Sequence, residues 1–249
     1  MSETNEPLIL AIETATRAGS VAVARGRNLL SSASGDPSAS HSTDLIETVA
    51  GILKSAGAKL SAVDLFAAAV GPGSFTGLRI GLATIKSFAT CTGRSCAGVS
   101  TLAAIAHAAG NSERTVSLLP AGRGELFAQM FSVSDGQVRE SDTAAHLTLD
   151  TILEKYGAAP QLVWAGEGAR LHAEAMRDSA TRQSISFDES GMNRAAWSLA
   201  APADQLAISI AALALNAYRS GGTVIPNELR AVYVRASDAE INEKWQRAK

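Results

Sequence analysis

One junction constrains this chain more than any other. The mostly apolar run 63–70 breaks at Gly71-Pro72-Gly73-Ser74-Phe75-Thr76-Gly77, and apolar residues then recur at helical spacing over 78–90. The order predicts a buried strand, a glycine-rich turn and a helix, the unit from which α/β folds are built. Such a turn can gather backbone N–H groups at the positive end of a helix dipole, where anions bind. The spacing is neither G-x-G-x-x-G nor a Walker A loop with Gly-Lys-Ser/Thr. Two readings therefore stand together: a phosphate or nucleotide contact formed by Gly71, Gly73, Ser74, Phe75, Thr76, Gly77 and Arg79, or a tight bend that the glycines merely permit. Pro72 fixes one backbone angle, and Ser74 or Thr76 is placed to cap the helix.

The rest of the chain repeats that logic. The run 8–12 ends at Glu13-Thr14-Ala15-Thr16, turns at Arg17-Ala18-Gly19 and returns over 20–24, with a third strand over 28–32 and a Ser/Gly/Pro-rich loop over 31–40. A helix follows over 42–56, closed by Gly57. Past the glycine loop and its helix, Gly98-Val99-Ser100-Thr101 precedes a helix over 102–109. From about Arg114 the order recurs: a strand over 115–119, a turn at Pro120-Ala121-Gly122-Arg123-Gly124, a returning strand over 125–131, a helix over 149–156, and a strand over 162–165 leading into Gly166-Glu167-Gly168. A last helix begins at Ala203, and Gly221-Gly222 leads to a C-terminal strand over 231–235. The repetition predicts a duplicated α/β fold of two lobes, 1–110 and 111–249, each a mixed sheet flanked by helices, with the helix 203–219 packing back on the first lobe. The tails 1–7 and 244–249 read as solvated.

With 249 residues, 46% hydrophobic and 18% charged, the chain can bury a substantial core. The formal net charge of −2 and the absence of a basic run argue against strong nucleic-acid binding by this chain alone. No apolar run reaches membrane-spanning length, and the polar N-terminus is unlike a secretory signal. Two cysteines, Cys91 and Cys96, make no disulfide framework, so a reduced cytoplasmic protein is expected.

The chemistry of catalysis is sparse. His41, His107, His146 and His172 are isolated, and four residues after His41 stands Leu45, not a second histidine; no metal site and no cofactor are expected. There is no G-x-S-x-G elbow. Glu13 is the best-placed acid for a cleft, with a turn residue receiving backbone N–H bonds as the alternative. The helix over 42–56 carries the stripe Leu45, Ile46, Val49 and Leu53. The next helix combines Leu82, Ile85 and Phe88 with the small residues Gly81, Ala83 and Ala89. Each stripe can bury against the chain's own sheet or against a partner.

Taken together, Leu10-Ala11-Ile12-Glu13-Thr14-Ala15-Thr16, His41-Ser42, the block from Gly71 to Gly81, Gly98-Val99-Ser100-Thr101-Leu102 and Val232-Tyr233-Val234-Arg235 resemble the TsaB (YeaZ) family of tRNA threonylcarbamoyladenosine biosynthesis, over nearly the whole chain. The resemblance implies the actin/hexokinase/Hsp70-like (ASKHA) superfamily. It also implies a non-catalytic scaffold and activator of a catalytic paralogue, TsaD, which modifies tRNA next to the anticodon and carries two histidines separated by three residues. A TsaE-type ATPase would join the assembly, and tRNA would be reached through it. His41, Leu45, Ile46, Val49, Leu53, Gly81, Leu82 and Ile85 would form the partner interface, or a homodimer in the partner's absence. An independent nucleotide-binding ATPase or phosphotransferase of the same superfamily is the alternative. Three positions depart from the family pattern. Glu13 stands for the usual Asp, Pro120-Ala121-Gly122 replaces Asp-Ala-Arg, and the helix after His41 lacks its proline.

Overall fold

The computed structural model describes residues 6–35, 41–191 and 196–234, with residues 41–43 described by backbone alone. The tail 244–249, most of 1–7, Arg235 and the side chain of His41 lie outside the described residues.

Two sheets with the same wiring form the two lobes. In the first, β1 (Leu8–Glu13), β2 (Ser20–Arg25) and β3 (Asn28–Ser34) make an antiparallel meander. Helix α1 (His41–Ser55) then returns the chain to β4 (Leu65–Gly71), parallel to β1, and α2 (Phe75–Thr92) carries it to β5 (Ser95–Ser100), giving the order β3-β2-β1-β4-β5. In the second, β6 (Ser112–Gly122), β7 (Glu125–Ser134) and β8 (Gln137–Glu140) form the meander. The chain passes through β9 (Ala145–Leu147) and α4 (Leu149–Tyr156) to β10 (Leu162–Ala165), parallel to β6. It continues through α5 (Glu167–Leu171), α6 (Ala173–Arg182) and β11 (Phe187–Asp188) to β12 (Trp197–Leu199), parallel to β10. The path β8-β7-β6-β10-β12 thus repeats β3-β2-β1-β4-β5 strand for strand, with β11 and β9 added.

The central strands are continuous apolar runs because both faces are covered. Every residue of β1 and β10 is buried. On one face of the first sheet, Leu45, Val49, Ile52 and Leu53 of α1 and Leu82 and Ile85 of α2 pack on Leu10, Ile12 and Phe66.

The opposite faces are covered crosswise. Helix α3 (Thr101–Ala109), which follows β5, packs Leu102, Ile105 and Ala106 on Leu119, Phe127 and Phe131 of the second sheet. Helix α7 (Leu206–Arg219), which follows β12, packs Ala207, Ile210, Ala211 and Ala214 on Ile9, Ala11 and Ala67 of the first. Each lobe therefore lends its last helix to the other's sheet, and α3 and α7 meet between them, His107 Nδ1 lying 3.0 Å from Ser209 Oγ.

Several expectations shift. β6 runs six residues further than 115–119 in total, since its meander partner β7 is long enough to keep pairing to Val133. The expected C-terminal strand over 231–235 does not form over 231–234. The free edge of β5 is closed earlier, by a two-way backbone bridge between Cys96 and Val224. The chain then turns through a short 3₁₀ segment, Pro226–Glu228, and Val232 N–H returns to bond Val70 O, at 2.7 Å.

Candidate functional site at the inter-lobe cleft

The glycine block is the first turn of α2 rather than a loop before it. Ser74 is the N-cap, its Oγ accepting the N–H of Gly77 at 3.2 Å, so the capping role falls to Ser74 and not to Thr76. Part of this turn's backbone is engaged by the end of β1. Ser74 N–H bonds Ala15 O at 2.8 Å, and Thr14 Oγ1 donates to Gly77 O at 2.7 Å. Gly73, Gly77 and Gly81 have to be glycine because the strand end of β1 lies directly against them. A Cβ on Gly73 would sit 2.6 Å from Ala15 O, and one on Gly77 or Gly81 would collide with Thr14 O or Thr14 Oγ1. Gly71, at φ +111°, is closed off by Val232 O, 2.6 Å from where its Cβ would be. This close packing accounts for the glycines of the block.

Arg79 lies with its guanidinium 3.9 Å from the centroid of the Phe75 ring, a cation–π contact. Phe75 stacks in turn on Tyr233, centroids 5.2 Å apart. The segment after α7 is thereby tied to the start of α2 on the surface, with Thr76 exposed beside it.

Glu13 is 1% exposed and forms the β1–β2 turn: its Oε1 accepts the N–H of Thr16 at 2.7 Å and its Oε2 the Thr16 hydroxyl at 2.6 Å. That matches the turn-forming alternative. The clamp holds Thr16, Arg17 and Ala18 on one wall of a cavity of about 290 Å³ between the lobes. The opposite wall is Gly166, Glu167 and Arg170 at the start of α5, together with residues 200–204. Gly166, at φ +93°, permits the close approach to Leu118 O. Arg170 Nη2 donates to Ala200 O at 3.1 Å and so fixes the 200–204 segment. The floor is apolar, with Ile105, Leu119 and Leu206. The β6–β7 turn presents Pro120 and Gly122 where the family pattern has charged groups. Its reversal is a two-residue turn at Arg123 and Gly124, both at positive φ, as tight hairpins demand.

His107 joins α3 to α7, and burial lowers its pKa from the ordinary imidazole value. His146 Nε2 lies 3.1 Å from Glu125 Oε2, and His172 precedes α6. Among the described residues, no group of three His, Cys, Asp or Glu side chains is arranged to hold a metal ion. Cys91 is exposed and Cys96 buried; both are free, and burial pushes the Cys96 thiol up to about 11.

The stripes expected to face a partner turn inward. Leu45 (8% exposed), Val49, Leu53, Gly81, Leu82 and Ile85 are all buried in the chain's own core, while Ile46, 57% exposed, and Ala83 stand out in solvent and Phe88 is half-buried. The apolar periodicity of α1 and α2 is what covering the first sheet requires.

Three features escaped the sequence reading. The Arg170–Ala200 clamp and the packing of α3 on the second sheet leave no local pattern, whereas the packing of α7 on the first lobe is the expected one. The third is the network at Asp142, whose Oδ2 accepts Lys155 Nζ (2.6 Å) and Tyr156 OH (2.7 Å) while Oδ1 accepts the N–H of Met130 (2.8 Å).

Two meander-and-crossover sheets facing each other across a cleft define the class: an actin/hexokinase/Hsp70-like α/β protein. The family described as TsaD, tRNA N6-adenosine threonylcarbamoyltransferase, matches residues 36–225. Two solved structures superpose on almost the whole chain. YeaZ from Pseudomonas aeruginosa is 27% identical with a TM-score of 0.74, covering 91% of this chain and 99% of its own. A protein described as similar to peptidase YEAZ from Pseudomonas aeruginosa is 28% identical with a TM-score of 0.75, covering 92% and 100%. The tRNA threonylcarbamoyladenosine biosynthesis protein TsaB of Escherichia coli is 34% identical over 122 residues, 48% of this chain and 52% of that protein, so the matched region spans about half the length of this curated relative. The chain belongs to the TsaB (YeaZ) family.

Proposed function

We propose that this protein is a non-catalytic scaffold and activator subunit that binds a TsaD-type transferase in the threonylcarbamoyladenosine modification of tRNA. The observation that carries this reading is at Leu45. Four residues after His41, the place where the catalytic paralogue has the second histidine of its helical pair, this chain has a leucine sunk in the α1–sheet core. Helix α1 here supports the first sheet instead of presenting a metal-binding face. The likeness to a protein named for threonylcarbamoyladenosine biosynthesis supplies the pathway. A TsaE-type ATPase would complete the assembly, with tRNA reached through partners, in keeping with a net charge of −2. The cytoplasm is the compartment such a role requires, and the isolated chain would pair with itself through the partner face.

The test is threonine incorporation into tRNA by the purified pathway components, with and without this chain. Dependence on the chain supports the reading, and equal incorporation without it refutes it. A second reading, an independent nucleotide-binding ATPase or phosphotransferase, draws on the cavity between the lobes. Calorimetric titration with ATP and magnesium separates the two, since tight binding with turnover belongs only to the second.

A further inference from the structure

The inter-lobe cavity has a composition that a nucleotide–metal complex does not explain. Its charged rim holds both signs, Arg17 and Arg170 against Glu167 and Asp204, above an apolar floor that includes Ile105 and Leu119. Two cations and two anions leave no surplus positive charge for a polyphosphate.

At about 290 Å³ the cavity is near the lower end of ligand sites, which run from roughly 300 Å³ upward. That volume suits an amino-acid-sized molecule. The walls are pre-set from both lobes. The buried Glu13 carboxylate holds Thr16 by two hydrogen bonds, and Arg170 is held by its bond to Ala200 O. That bond uses one of the five N–H donors of the Arg170 guanidinium, which leaves a planar edge of the kind that grips a carboxylate bidentately.

We propose that this cavity binds a small zwitterion with an aliphatic body, a free amino acid in chemical class, without a metal. Arg170 takes the carboxylate, with Arg17 beside it. Glu167 and Asp204 take the ammonium, and the side chain lies on the apolar floor. A ligand so placed touches both lobes and fixes their separation. The inference does not rest on the partner-subunit reading, since it concerns the isolated chain.

The experiment is isothermal titration calorimetry on the full chain with L-valine and L-threonine. The comparison ligands are isobutylamine, which lacks the carboxylate, isobutyrate, which lacks the ammonium, and ATP with magnesium. We expect saturable one-to-one binding of an amino acid, weaker binding of the amine and of the acid, and no displacement by ATP with magnesium. Arg170→Ala should weaken amino-acid binding by about tenfold or more, the loss of a charge-assisted bidentate contact. Ala203→Trp, at an exposed wall residue, should abolish binding by filling the cavity without entering the core. Thermal melts establish that both variants fold. The proposal is overturned if neither amino acid binds at tens of millimolar, if both folded variants bind like the parent, or if ATP with magnesium occupies the site in preference.

Discussion

Ser20 Oγ, on β2 of the first lobe, accepts the N–H of Ala207 at 3.0 Å in a buried contact. Ala207 lies in the first turn of α7, where backbone donors have no partner within the helix, and the side chain of Gln205 at the N-cap position does not cap it, its Oε1 accepting the Ser32 hydroxyl instead. A residue 187 positions away thus does the work of a cap, and it does so across the crossed packing that joins the lobes. Ser20→Ala should leave this donor buried and unpaired and lower stability by about 1 kcal/mol, the usual effect of losing a cap. Urea unfolding followed by circular dichroism measures it. An unchanged midpoint would show that α7 does not depend on the contact.

The glycine-rich start of α2 makes a prediction that separates packing from backbone freedom. Gly77→Ala drives a Cβ into Thr14 O, a backbone atom that cannot move without distorting the end of β1. Gly51 lies exposed within α1 and a Cβ there would meet nothing. Gly51→Ala should stabilise the protein by about 0.8 kcal/mol through helix propensity alone, while Gly77→Ala should destabilise it by several times that amount or prevent folding. Thermal melts of the two variants beside the parent decide it; a Gly77→Ala protein as stable as the parent would contradict the packing described at Thr14.

Acid should loosen the second lobe at Asp142. Burial raises the pKa of this carboxyl, but hydrogen bonds from Lys155, Tyr156 and the Met130 N–H outweigh it and hold the pKa below the ordinary carboxylate value. With the folded pKa below the unfolded one, the stabilisation is present above the usual carboxylate range. It is lost as pH falls below the ordinary carboxylate range and through the folded value. Asp142→Asn should cost about 1–2 kcal/mol at neutral pH, the worth of hydrogen bonds to a charged group. The difference between variant and parent should shrink toward pH 3. A gap that stays constant across that range would remove the carboxylate from the argument.

Much of the architecture is legible along the chain, because local pattern and final burial coincide there. Leu162-Val163-Trp164-Ala165 is an unbroken apolar run and becomes β10 with the same bounds, and Leu149 to Tyr156 becomes α4 between Thr148 and Gly157. Where one pattern serves two ends, the sequence does not choose. Leu45, Val49 and Leu53 have the spacing of a docking face and of a core face alike, and only the position of the first sheet decides between them. The strand-like Val232-Tyr233-Val234 has the right residues for pairing, yet β5 is already bridged at Val224, and Val232 N–H bonds Val70 O instead of extending the sheet over 231–234. The inter-lobe cavity has no signature at all, since Thr16 and Arg170 meet there only through the fold.

That ambiguity on α1 shapes the test of a partner face. Val49→Asp or Leu82→Asp would place a carboxylate in the first lobe's core, where an unpaired charge costs several kcal/mol. Loss of binding in those variants would then report unfolding rather than an interface. Ile46 is on the same helix but 57% exposed, with Glu47 and Ala50 exposed nearby. Ile46→Asp should therefore keep the parent's melting temperature, as surface substitutions usually change stability by less than about 0.5 kcal/mol. If α1 meets the transferase, the same change should weaken co-elution with it by about tenfold, an aliphatic contact replaced by a desolvated charge. Analytical gel filtration of the mixed proteins, with the melt as control, reads both quantities. Unaltered co-elution with an unaltered melt would move the partner face off α1, toward the Phe75, Arg79 and Tyr233 surface at the start of α2.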